Sequence, residues 1–283
     1  MLKNCFLIFS ICCISMASFG QNLQKMRIWQ DSLTSLGRQV FSVASESERM
    51  ESNFLFVKTL VSALKEPNSY FYSFDSLKMI SIVSSPDEQF RIFSWNMPLH
   101  DGSYLYYGAV QMRSGTLKLT PLLDKTFEFK NSNEEITDHS KWYGAQYYEI
   151  IPYSTRSYLL LGWKGHDSQC SEKVIEVLKI DPEGKLIFGQ NIFSDDPKIV
   201  RKIFKYSKSA TMLLRYNGDK RRVEFDNLVP LNSGKNQIYI PDLSHNGYIL
   251  KDGKLVFIDD VEVLNNGGGH DNQQSIKGLK SGL

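Results

Sequence analysis

The sequence predicts a mainly β protein of antiparallel meanders, arranged as propeller-like blades or as one large curled sheet, behind an N-terminal helical hairpin. An α+β arrangement with a β-sandwich is the alternative. Three observations carry this. Apolar residues recur at helical spacing only near the front of the chain, a period of two takes over from Tyr70, and no strand alternates with a long helix.

The first segment stands outside the fold. Lys3 precedes an apolar run from Cys5 to Met16, and small Ala17, Ser18 and Gly20 lead into polar Gln21 and Asn22. This is the grammar of a secretory signal, cut after Gly20. Three of the four cysteines leave with it, so the mature chain keeps only Cys170 and has no internal disulfide to form. No later stretch has the length of a membrane-spanning helix, so no transmembrane segment is expected after cleavage.

Residues 21–68 read as the hairpin. One stripe runs Met26, Trp29, Leu33, Leu36, Val40 and Val43, a second runs Met50, Phe54, Val57, Val61 and Leu64, and steps of three and four put each on one helical face. Ser45 followed by Glu48 forms a capping box that starts the second helix, and Glu66-Pro67-Asn68 ends it.

Residues 69–264 read as the β domain. Ser85-Pro86-Asp87, Asp101-Gly102, Arg113-Ser114-Gly115, Pro182-Glu183-Gly184, Asn217-Gly218-Asp219 and Asp252-Gly253 punctuate aromatic and β-branched runs. Phe90, Ile92 and Ser94 share one strand face, Phe93 and Trp95 the other, so layers are expected on both sides of that strand. The hairpin at 79–95 recurs 68 positions later at 147–163, with a degenerate third copy expected at 203–206 and 212–216. Residues 124–141 read as a polar connection, and residues 265–283, rich in Gly, Asn, Gln and Ser, as a flexible tail.

The runs Asn53 to Leu60, Tyr72 to Leu77, Phe90 to Trp95, Lys141 to Tyr148, Leu160 to Gly165, Val223 to Pro230 and Pro241-Asp242 resemble a family of exported proteins from Bacteroidota bacteria. That family has no assigned activity. The resemblance therefore implies export and an intact domain and brings no catalytic residues.

Composition is ordinary: 42% apolar, 23% charged, 33 basic against 31 acidic residues and a formal charge of +2. This disfavours a nucleic-acid partner. No nucleophile elbow, zinc-protease helix, phosphate loop or Cys-x-x-Cys is present, and neither cofactor nor metal is expected. Asp242-x-Ser244-x-Asn246-Gly247 imitates half a calcium loop, but Gly253 stands where the bidentate glutamate belongs, so a turn leading into a hairpin is the better reading.

Two constellations remain. His100-Asp101 follows Trp95 and His166-Asp167 follows Trp163, so both pairs are expected in equivalent loops, where imidazole and carboxylate could serve as acid and base. Residues 198–222 hold nine basic side chains against Asp219. Arg201, Lys205, Arg215 and Arg221 are the candidates there for an anionic glycan or envelope component, against a simple solvated sheet face. Trp95, Trp142, Trp163 and Tyr143, Tyr147 and Tyr148 read as core before sugar platform. The leading function is a non-catalytic binding protein of unknown ligand, periplasmic, outer-membrane associated or secreted. The alternative is a hydrolase of envelope polymers or glycans using carboxylates or the His-Asp loops.

Overall fold

The computed structural model describes residues 22–42, 45–114, 116–231 and 237–263. The predicted signal at 1–20, the predicted tail at 265–283 and Val43 lie outside them. The chain forms two compact units. Among the described residues, one holds those up to Met79 together with those of 112–118, and the other holds Ile80–Gln111 and those from Leu119 onward.

In the first unit, helix α1 (22–40) buries Met26, Leu33 and Val40 as its stripe predicts. Helix α2 (Glu46–Leu64) starts at the predicted capping box, with Ser45 and Glu48 satisfying each other's backbone N–H groups. Its buried face is not the predicted one. Arg49, Ser52, Asn53, Phe56, Leu60, Ala63 and Leu64 turn inward, while Met50 and Phe54 are exposed. Ser52 donates a hydrogen bond to Gln39 of α1 (3.2 Å), so the helices meet partly through polar side chains that an apolar stripe does not register.

Among the described residues the second unit contains three antiparallel sheets. The first is a meander of β1 (Ser81–Ser84), β2 (Phe90–Pro98), β3 (Tyr104–Met112) and β4 (Leu119–Leu123) in chain order. The second repeats that plan with β6 (Gln146–Ser154), β7 (Ser157–Gly165), β8 (Cys170–Ile180) and β9 (Leu186–Phe188), and adds β5 (Thr137–Asp138) beside β9 and β10 (Arg201–Ser207) beside β8. The third runs β11 (Leu214–Asn217), β12 (Arg222–Pro230), β13 (Tyr239–Lys251) and β14 (Lys254–Ile258). The sequence repeat is therefore visible strand by strand, β1 and β2 answering to β6 and β7. The expected third copy is not a hairpin: β10 pairs with β8, β11 pairs with β12, and the two belong to different sheets.

Strand β2 is covered on both faces, with Phe90, Ile92, Phe93 and Trp95 all buried. One large cluster joins the second and third sheets, built from Leu159, Leu161, Ile175 and Val177 on one side and Leu214, Val223, Phe225 and Tyr248 on the other. Trp142, Tyr143 and Tyr147 are also core, as expected of strand aromatics. Gly247 on β13 permits a close backbone approach, since a Cβ there would lie 2.9 Å from the carbonyl oxygen of Val223.

Candidate functional site

The two His-Asp loops meet. Gly102 has φ +83°, and a Cβ on it would lie 2.9 Å from Cβ of Ser168. The carboxylates in these loops, however, build the turns. Asp101 accepts the Ser103 N–H (2.9 Å), and Asp167 accepts the N–H groups of Gln169 (2.8 Å) and Cys170 (2.7 Å). The Ser103 hydrogen bonds hold Asp101 below the ordinary carboxylate range. Asp167 also falls below it, because its backbone hydrogen bonds outweigh the cost of burial. His166 lies between two carboxylates, its Nδ1 3.1 Å from Glu172 and its Nε2 3.5 Å from Asp167. Among the described residues no group of His, Cys, Asp and Glu is placed to hold a metal ion.

Beneath this rim lies a closed ionic cluster. Lys164 donates to Thr126 Oγ1 (2.9 Å) and to the carbonyls of Tyr143 (2.8 Å) and Gly144 (2.6 Å), between the rings of Tyr106 and Tyr143. Burial pulls its pKa down to about 8 although Asp124, Glu172 and Glu176 oppose the shift. Glu176 accepts from Arg201 and from Tyr147, and Tyr143 donates to Glu172 (2.8 Å). Lys164, Glu172, Glu176, Arg201, Tyr143 and Tyr147 are buried and each is paired within the cluster, which is the signature of a structural network.

Part of the basic segment is paired with carboxylates in the same way. Arg201 is fully buried on Glu176, Lys202 pairs with Asp195 (2.9 Å), and Arg215 and Arg222 converge on buried Glu224 (3.0 and 2.7 Å). Lys205 is exposed 3.7 Å from Asp167, and Arg221 is exposed at the β11–β12 turn with φ +48°. The four candidates therefore form no common cationic surface. Arg201 in particular shares a face with Lys205, as expected, but that end of the face is sealed by residues 129–133, where the Ser132 carbonyl accepts from the guanidinium.

A cleft of about 280 Å³ opens where β10 approaches β12 and β13. Asp195, Lys202, Asp226, Asn227 and Asn246 line it beside Phe204, Phe225 and Phe257. The aromatic wall is fixed by ring contacts running from Phe204 through Phe225 and Tyr248 to Phe257, with centroids 4.7, 5.3 and 5.8 Å apart. Each polar group is held from behind. Asp195 accepts from Lys202 and from the Tyr248 hydroxyl (2.8 Å), and Asp226 from the Leu213 N–H (2.7 Å) with His245 at 3.3 Å. Asn227 donates to Asp242 (3.1 Å), and Asn246 accepts from the Asp260 N–H (3.2 Å). Burial raises the pKa of Asp226. Burial also works against Asp195, but the bonds from Lys202 and Tyr248 outweigh it and hold Asp195 below the ordinary value. Behind the cleft, burial lowers Lys173 to about 8 despite the charge of Asp226.

The calcium-like segment borders this cleft but is neither a cation loop nor a turn leading into a hairpin. It is a bulge within β13, where the pairing with β12 shifts between Asp226 and Leu228. Asp242 folds it by accepting the Ser244 N–H (3.0 Å) and hydroxyl (2.7 Å), and Leu243 takes φ +72°. No local pattern in the sequence marks the cleft, whose walls come from separate segments at 195–204, 225–228, 246 and 257. The one legible anomaly is Val223-Glu224-Phe225-Asp226, which puts two carboxylates on one face of a strand with buried neighbours. Compared with protein-family models, curated proteins and solved structures, the chain shows no match.

Proposed function

We propose that the protein is an exported, non-catalytic binding protein, of the envelope or secreted, and that the cleft between its second and third sheets receives a small polar solute. The observation that carries the reading is the lining of that cleft: polar groups anchored from behind by the fold, over an aromatic wall, in a cavity sized for one small molecule. Export rests on the signal grammar of residues 1–20 and on the resemblance to exported proteins. The pairing of Arg201, Lys202, Arg215 and Arg222 with carboxylates weighs against an anionic glycan docking on them and favours an uncharged partner. Native mass spectrometry of gently purified protein tests this. The expected result is a small non-covalent adduct that is released on denaturation and absent from an Asn227→Trp variant, whose indole fills the cleft. An adduct retained unchanged by that variant contradicts it.

One observation favours a hydrolytic reading: Asp226 is raised and Asp195 lowered in the same cleft, the division expected of an acid and a carboxylate partner. Under that reading, aryl glycosides release their phenol with the wild type and not with Asp226→Asn. Equal background release from both variants removes it.

A further inference from the structure

The hydrogen-bonding state of the cleft narrows the ligand. Asn246 spends its amide oxygen on the Asp260 N–H, which leaves its NH₂ as a donor. Asn227 spends its NH₂ on Asp242, which leaves its oxygen as an acceptor. Lys202 has one partner among the described residues, Asp195, and keeps further N–H donors. Asp195 and Asp226 supply acceptors, Asp195 being paired with Lys202 (2.9 Å) and Asp226 lying 3.3 Å from His245. The cleft thus offers donors and acceptors interleaved.

A group that donates and accepts at every corner suits such a lining, and hydroxyls do this. Phe257, the most exposed of the three aromatic residues at 36%, adds an apolar face on which the C–H side of a ring can rest. A volume of about 280 Å³ takes one such ring and not a chain of them. We propose that the ligand is a neutral saccharide, bound through a single ring. This rests on the cleft being the binding site.

The test is an amide chemical-shift titration of the isotope-labelled mature chain with D-glucose, D-galactose and N-acetylglucosamine, and with glycine and succinate as charged polar solutes. At least one sugar is expected to give saturable shifts confined to residues around Asp195, Lys202, Asn227, Asn246 and Phe257. Asn246→Asp keeps the acceptor for Asp260 and removes the donor, so it should weaken that binding about five- to tenfold. Phe257→Ala should weaken it by a similar factor while the remaining spectrum stays native. Shifts at the cleft from glycine or succinate but from no sugar would overturn the saccharide and leave the cleft as the binding site. No shift at the cleft from any of the five would overturn both, and sugar shifts unaffected by either variant would overturn the saccharide recognition assigned to Asn246 and Phe257.

Discussion

At the scale of single residues, the buried charges decide the most. Arg201 and Glu176 are both inaccessible, and Glu176 also accepts from Tyr147, whose hydroxyl in turn takes the Trp142 N–H (2.9 Å). Removing one partner strands the other in a medium that solvates charge poorly. Arg201→Met should therefore cost about 3 to 5 kcal/mol in urea denaturation, and adding Glu176→Leu should recover much of it. A double variant no more stable than the single one would show that the guanidinium packing matters more than its charge. Lys164 gives a pH signature. Its folded pKa of about 8 lies below the ordinary 10.5, so the unfolded chain binds the proton more tightly. The cost of burying the ammonium is full below about pH 8 and is released as pH rises. Stability should increase between about pH 8 and pH 10. Above that range it should fall again, because Tyr106, Tyr143 and Tyr147 are buried with raised pKa values and ionise only on unfolding. Lys173 acts in the same direction as Lys164. Urea melts at two pH values should show a shallower rise in Lys164→Met, and an identical rise would contradict the assignment.

At the scale of elements, turns were more legible than faces. Asp252-Gly253 joins β13 and β14 with φ +51° and +74°, the type I′ geometry that this pair of residues predicts. Gly253 has open space around it, so Gly253→Ala meets backbone strain alone and should cost about 1 kcal/mol. Gly218 is equally open but has no left-handed φ, and Gly218→Ala should be neutral or slightly stabilising by thermal denaturation. Equal losses at both sites would contradict this account of the turns. The capping box was legible for the same reason, since Ser45 and Glu48 interact locally. The inward face of α2 was not, because Ser52 and Asn53 are buried by contacts that sequence periodicity does not weigh. Strand β10 shows the same limit. Its length and period were readable, but its partner was β8 and not the neighbouring β11, a choice made by the buried Arg201 and Glu176 standing opposite each other in register.

At the scale of the whole molecule, the antiparallel meanders and the helical pair follow from periodicity, whereas the cleft arises only when β10 and the bulged β12–β13 pair come together. The His-Asp loops illustrate the difference. Their equivalence was expected from the repeat but their meeting was not legible, their carboxylates serve the turns, and the cleft residues Asp195 and Asp226 carried no motif while Asn246 stood in one that pointed to a cation. Cohesion is non-covalent throughout the described residues, where Cys170 is free and buried. Reductant should accordingly leave the melting temperature of the mature monomer unchanged, and a clear drop would reveal a disulfide-linked dimer. The central claim is that the cleft is the binding site, and hydrogen exchange with and without N-acetylglucosamine tests it most directly. The account predicts slowed exchange in peptides covering residues 195–204, 225–228, 244–248 and 255–258. Slowed exchange at the 99–103 and 166–169 loops instead, with the cleft unchanged, would contradict it.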